Sequence, residues 1–254
     1  KNTAFWDTYL RGYSWINNVP FDYEPLEEKH SGAHYHFRYE SVKTAELNAF
    51  ARQHNVSLHT LLIGVFNVLL YKMFGKEDFC IGTVNSGRTH AELHNQLGMF
   101  VKTLPLRTRI NSNQTILEIL NQTHQNLLLI DEHPDIPETI QSKLRLDAVF
   151  VLQNPSFDYS NIAVSEDLHL EITPVMELFS RLPLLITFIT NEANLLGHIS
   201  YADQNYEMET IELIQLKYEK LLTEIIKHPD SPLKAIDFGL SFEKERKIEI
   251  GLNF

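Results

Sequence analysis

The sequence predicts an α/β fold, a mixed sheet covered by helices, on three observations. Apolar residues recur at helical spacing in several long segments, strand-like apolar runs alternate with those segments through the first two thirds, and the later strand-like runs follow one another closely. At 254 residues and 43% apolar content the chain can fill one large core, and no internal repeat or low-complexity stretch divides it.

Phe5 to Leu10 reads as a short amphipathic helix, and Pro20, Pro25 and Gly32 among clustered charges mark an extended connection. A strand follows from Ala33 to Tyr39. Ser41 is placed to cap a helix carrying Ala45, Leu47, Phe50 and Ala51, which Asn55 closes, and Ser57 to cap a second. The second helix carries Leu58, Leu61, Leu62, Val65, Phe66, Leu69 and Leu70, too wide a surface for one stripe, so it is expected to be largely buried and to stop at Gly75. Phe79 to Val84 reads as a buried strand. Met99 to Ile110 reads as a longer one whose Pro105 sits at an edge or a bulge. Overlapping it, Leu97 to Arg107 is expected to form a strand at or beside the centre of the sheet, with Phe100, Thr103 and Leu104 mostly buried or facing a cleft.

Ile116 to Ile130 is expected to be helical, with Ile116, Leu117, Leu120, His124, Leu127 and Leu128 on its inner side. Ala148 to Leu152, Leu168 to Thr173, Leu184 to Thr190 and Leu195 to Tyr201 read as strands, the last two joined as a hairpin at 191–194. Met208 to Ile226 is a final helix with Ile211, Ile214, Tyr218, Leu221, Leu222 and Ile225 inward. Pro229 to Pro232 mark an exit from the fold, and the charged stretch Phe242 to Lys247 reads as a linker.

A net charge of -11 argues against nucleic acid or an anionic membrane as partner. The longest apolar candidate, Leu58 to Met73, is interrupted by His59, Asn67 and Lys72 and falls short of the roughly 18 to 20 consecutive apolar residues of a membrane span. The lone Cys80 cannot form an internal disulfide; it reads as a small buried hydrophobe and fits a reducing cytoplasm. The opening Lys1 to Trp6 has neither an initiating methionine nor the features of a secretory signal, and the expectation is a segment cut from a longer chain.

Catalytic patterns are scarce. His34 and His36 share one face of a strand with His30 nearby, but no carboxylate or cysteine in sequence completes a ligand set, so they read as surface histidines. His90 and His94 lack the glutamate that follows the first histidine of a zinc-protease helix. Ser86-Gly87-Arg88 has a glycine on one side only, unlike a nucleophile elbow, and neither Gly82 nor Gly87 opens a phosphate loop. The expectation is no metal and no catalytic residue in this chain.

Three stretches resemble a known family. Gly75-Lys76-Glu77-Asp78, Ile81-Gly82-Thr83, Gly87-Arg88 and Leu97-Gly98-Met99-Phe100-Val101-Lys102-Thr103-Leu104 through Arg107 are similar, in order and spacing, to the G-x-E-D, I-G-T-P-x-A-G-R and I-G-x-F-V-N-T-L-x-x-R blocks of nonribosomal peptide synthetase condensation domains. His133-Pro134-Asp135-Ile136-Pro137 resembles the H-Q-D-x-P-F-E block, and Val149 to Asn154 the strand M-F-V-L-Q-N. Phe5 to Gly12 resembles Y-W-x-x-x-L-x-G at the start of the family's second lobe, and the stretch from Ser241 to Phe254 the exit toward an adenylation domain. Lys102 stands where the family has asparagine and Glu138 where it has phenylalanine. The R-D-x-S-R-N-P-L stretch before Val149 is missing, leaving a shorter link through Ser142, Lys143 and Leu144.

The resemblance implies one chloramphenicol-acetyltransferase-like lobe over 1–240, the C-terminal lobe of a condensation domain, followed by a linker over 241–254. It implies one wall of a tunnel in which phosphopantetheine arms of two carrier proteins present an acyl or peptidyl thioester and an aminoacyl thioester. The family's active motif, H-H-x-x-x-D-G, is absent: no two histidines are adjacent, and none of the twelve has an aspartate four residues on. The chain is therefore expected to bind no cofactor itself and to be inactive without the N-terminal lobe. Gly98, Gln153 and Asn154 are the expected tunnel-wall residues, on a face left open to water; Arg88 and Arg107 are structural partners of carboxylates or tunnel-side residues. Expected partners are that N-terminal lobe, peptidyl carrier proteins and the adenylation domain. An epimerisation or heterocyclisation fragment, or a noncatalytic platform recruiting a carrier protein or auxiliary enzyme, are the alternatives.

Overall fold

The computed structural model describes residues 2–14, 19–23, 31–88, 91–93, 95–153, 180, 182–190 and 193–240, with the backbone of 162–165, 168–170 and 191. The element order is α1 (Asn2–Tyr9), β1 (Ala33–Tyr39), α2 (Ser41–Gln53), α3 (Leu58–Phe74), β2 (Asp78–Asn85), β3 (Lys102–Arg109), α4 (Ile116–Asp131) and α5 (Glu138–Gln141). β4 (Ala148–Gln153), β5 (Ile162–Ser165), β6 (Leu168–Leu170), β7 (Leu184–Asn191), β8 (Asn194–Tyr201) and α6 (Met208–Lys227) follow. Short 3₁₀ turns lie at Ala91–Leu93 and Leu233–Ala235. This is the mixed α/β architecture that the sequence predicts.

Six strands form one sheet in the order β1-β8-β7-β4-β2-β3, and β5 pairs with β6 apart from it. β2, β4 and β7 run parallel, while β1 with β8, β7 with β8 and β2 with β3 are antiparallel. α3 is buried along most of its length, as its all-round apolar pattern dictates. Ser57 caps it by accepting from Thr60 N–H, and it ends at Gly75, whose N–H donates to Tyr71 O at 2.8 Å. Phe66 of α3, Phe150 of β4, Phe188 of β7 and Tyr218 of α6 form a run of rings with successive centroids 5.6, 5.6 and 5.8 Å apart. Burying each such ring stabilises the fold by about 1.5–3 kcal/mol. The Tyr218 hydroxyl donates to Leu62 O at 2.8 Å, so the one polar atom of that stack is satisfied.

Several expectations change. β3 begins at Lys102, not Met99, and lies at the sheet edge, which is where Pro105 is tolerated because no strand needs its missing N–H. Leu97, Met99 and Val101 are exposed, and so is Thr103, while Leu104 is buried. α4 buries Ile116, Ile119, Leu120, Thr123, Leu127 and Ile130, a face rotated from the expected one, so that Leu128 is exposed. Pro232 bridges to Thr115, and Leu233 and Ile236 are buried, so the chain packs back onto the fold where an exit was expected. Of the strand expected over 168–173, Leu168–Leu170 is β6 and 171–173 lie outside the described residues, while β5 carries no recognised signal in the sequence. The charged stretch 242–247 and Asn154 lie outside the described residues, as do His30, His90 and His94. Among the described residues no single helix is long and apolar enough to cross a membrane.

Candidate functional site

Because β2 and β4 are parallel with Gly82 opposite Val149 and Thr83 opposite Phe150, their carboxyl ends reach the same end of the sheet. β3 starts there, since Lys102 pairs with Asn85. Open α/β sheets present their ligand crevices at the carboxyl ends of parallel strands. This end gathers Asn85 to Arg88, Gly98 to Lys102, and Gln153.

The loop leaving β2 is held by its own polar groups. Asn85 Oδ1 accepts from Gly87 N–H at 2.7 Å, and its Nδ2 donates to Asp131 Oδ1 at 2.8 Å. Gly87 has φ +67°, and a Cβ there would lie 1.8 Å from Phe100 O, so no side chain is possible without moving the Phe100 backbone. Arg88 places its guanidinium 4.6 Å from the Phe100 ring centroid and donates to the carbonyls of Leu93 and Gln96. These contacts are carbonyls and a ring, so Arg88 braces this loop in a way that needs no carboxylate partner. Gly98, at φ +152°, is exposed four residues before β3, and a Cβ there would approach the Phe100 ring to 3.1 Å.

Beside this loop lies a cavity of about 420 Å³ lined by Val101, Lys102, Thr103, Asp135, Ile136 and Leu144 among others, within the size range of ligand pockets. Lys102 Nζ lies 2.5 Å from Asp135 Oδ1. The opening block packs on the same segment: the Phe5 ring stacks on His133 at 4.0 Å, Trp6 Nε1 donates to His133 O at 3.1 Å, and His133 Nδ1 is 3.0 Å from Asn2 Oδ1. Three stretches far apart in sequence, around Phe5, Lys102 and Asp135, thus meet at one place.

Gln153, the last residue of β4, is exposed, and its carbonyl accepts from the Thr190 hydroxyl at 3.5 Å. Arg107 is elsewhere, toward the opposite end of β3. Its buried guanidinium donates to both carboxylate oxygens of Asp78, at 2.8 and 2.6 Å, and to the carbonyls of Tyr9 and Arg11. These hydrogen bonds from Arg107 hold the Asp78 carboxyl below the usual carboxylate range. The fold therefore brings Gly98 and Gln153 to one end of the sheet, and separates Arg107 from them.

Sequence reasoning passes over His59. It sits at the start of α3 with Nε2 3.4 Å from the Thr83 hydroxyl, and burial lowers its pKa while Asp131 pulls the other way. Its only trace in the sequence is a polar interruption of an apolar run. Among the described residues no group of three or more His, Cys, Asp or Glu is placed, with the side chains as they stand, to hold a metal ion.

The sheet with its helices and this crevice define a mixed α/β domain with a cavity at one end of the sheet. The Condensation domain family matches residues 1–247, and the chain belongs to that family. It is 26% identical over its whole length to Gramicidin S synthase 2 of Brevibacillus brevis and 27% identical over 96% of its length to Tyrocidine synthase 2 of Brevibacillus parabrevis. It spans only 6% and 7% of those relatives. Among solved structures, the four-domain nonribosomal peptide synthetase holo-AB3403 superposes with a TM-score of 0.86 at 20% identity, covering 96% of this chain and 20% of that one. The first condensation domain of the CDA synthetase superposes with a TM-score of 0.74 at 14% identity, covering 94% of this chain and 53% of that domain.

Proposed function

We propose that residues 1–240 form the C-terminal lobe of a nonribosomal peptide synthetase condensation domain and supply one wall of its tunnel, with 241–254 a linker toward an adenylation domain. The observation that carries this reading is the row of exposed apolar side chains Leu97, Met99 and Val101 on the loop that holds Gly98, next to the cavity at the carboxyl end of the sheet. Exposed apolar surface concentrated beside a crevice marks an interaction surface, and a covering lobe would bury it. The match to about half of an isolated condensation domain agrees with it.

In the proposed reaction the amine of a carrier-bound aminoacyl thioester attacks the carbonyl of a carrier-bound acyl or peptidyl thioester. The C–N bond forms, the C–S bond breaks, and the proton lost by the amine ends on the released pantetheine thiol. This chain holds no adjacent histidine pair to position or deprotonate that amine, so the lobe alone is inactive. Its share is to bind and orient. Gly98 leaves room for the pantetheine arm, and the side-chain amides of Gln153 and Asn154 hydrogen-bond the amides of that arm. The partners are the N-terminal lobe, peptidyl carrier proteins and the adenylation domain, in a cytoplasmic synthetase.

A second reading, a noncatalytic member that recruits a carrier protein or an auxiliary enzyme, draws on the shortened link before β4, because Leu144 of that link lines the cavity. Epimerisation or heterocyclisation fragments would share this lobe and differ in product. Coexpression with the upstream half tests the lobe assignment. A one-to-one complex is expected, with hydrogen exchange at Leu97 to Val101 slowed relative to the free chain; no complex, or unchanged exchange, contradicts it.

A further inference from the structure

The antiparallel register of β1 with β8 sets His34 opposite Ser200 and His36 opposite His198. Residues two apart on a strand share a face, so all four side chains project from the same side of the sheet. Three of their donor atoms form a nearly equilateral triangle: His34 Nδ1 to His198 Nε2 is 3.0 Å, His34 Nδ1 to Ser200 Oγ 3.2 Å, and Ser200 Oγ to His198 Nε2 3.3 Å. His36 lies flat on His198, with centroids 4.5 Å apart and planes at 9°.

Two imidazole nitrogens each about 2.0–2.1 Å from one tetrahedrally coordinated ion are about 3.3 Å apart. The His34 and His198 nitrogens, at 3.0 Å, have to part by only a few tenths of an ångström to reach that spacing, and the serine hydroxyl lies 3.2 and 3.3 Å from them. His36 is exposed, so a change of side-chain rotamer that turns its ring off His198 and toward the triangle is open to it. The next cation along this face, Arg38, is held by Glu40 through bonds of 2.9 and 2.8 Å, which offsets its charge. Imidazole donors select borderline divalent ions of the zinc, nickel and copper group over magnesium or calcium.

We propose that His34, His198 and a reoriented His36 bind one such ion and clip the edge strand β1 to β8. This site is separate from the proposed tunnel and independent of it. Titrating the metal-free 254-residue chain with Zn²⁺ in a calorimeter, with its melting temperature followed in parallel, is the test. Expected are one saturable site, a rise in melting temperature, and an X-ray absorption spectrum with imidazole nitrogens at about 2.0–2.1 Å. His34→Ala, His36→Ala and His198→Ala each weaken binding at least about tenfold, whereas the exposed His228→Ala leaves it unchanged. If a histidine variant fails to fold, the absorption spectrum of the unaltered chain still decides. No saturable binding, binding that survives His198→Ala, or a metal shell without imidazole overturns the proposal and leaves a hydrogen-bonded histidine–serine cluster.

Discussion

Lys102 Nζ sits 2.5 Å from Asp135 Oδ1, so the first residue of β3 is tied to the segment ahead of α5 by an ion pair. Lys102 stands where the resembling block has asparagine, and Asp135 is the aspartate of a different block, so the pair joins two of the resembling stretches. Both side chains are solvated, at 40% and 69% exposure, which limits what the pair contributes.

Replacing Lys102 by Asn is therefore expected to change stability by less than about 1 kcal/mol. Urea denaturation at low and high salt checks this, with the difference shrinking as salt screens the pair.

Asp78→Asn addresses the other ion pair. Arg107 is buried and donates to both Asp78 oxygens, while the carboxylate is 38% exposed, so a loss of about 1–2 kcal/mol is expected at neutral pH. Folding depresses the Asp78 pKa, so its contribution is full above the unfolded value near 3.9 and is lost as pH falls through the lower folded value. The difference between unaltered protein and variant should be constant from about pH 5 to 7 and close in stronger acid. A gap that widens in acid contradicts the assignment.

Tyr9→Phe tests how α1 seals the sheet edge. The Tyr9 hydroxyl accepts from Arg107 N–H at 2.9 Å and donates to Arg107 O at 3.3 Å, giving the outer edge of β3 a partner where no strand exists. Asn126 Nδ2 also donates to that carbonyl at 3.0 Å, so the variant orphans only the N–H. A loss of about 1–2 kcal/mol is expected, with hydrogen exchange accelerated at the Arg107 amide.

Gly87→Ala must relieve both a φ of +67° and a Cβ 1.8 Å from Phe100 O. The conformation alone costs about 1–2 kcal/mol, and the contact forces the Phe100 backbone to shift. A lowered urea midpoint with amide chemical-shift changes from Leu97 to Val101 is expected; a silent variant would mean the loop is not packed this way.

The sequence displays most of the helical and strand framework because burial imposes periodicity. Ser57, Gly75 and the inward row of α6 stand where their patterns place them. The start of β3 is misplaced by sequence because Leu97, Met99 and Val101 look like core, and apolarity alone does not distinguish a buried strand from an exposed apolar loop. The α4 face is misjudged because Thr123, at 0% exposure, is inside while Leu128 is out. The neighbourhood of the candidate site is legible through motif order, but the meeting of the Phe5, Lys102 and Asp135 segments is a product of tertiary folding. The histidine cluster is illegible for the same reason: His198 is 164 residues from His34, and only the β1–β8 register joins them.

The most direct measurement is amide formation from a donor and an acceptor carrier protein, each loaded with its thioester. It compares this chain alone with the same chain joined to its upstream half. Product from the joined protein, and none above a buffer blank from the chain alone, is the result expected of a C-terminal lobe that supplies one tunnel wall. Amide formed by the chain alone, or no amide from a joined protein that carries H-H-x-x-x-D-G, would contradict that account.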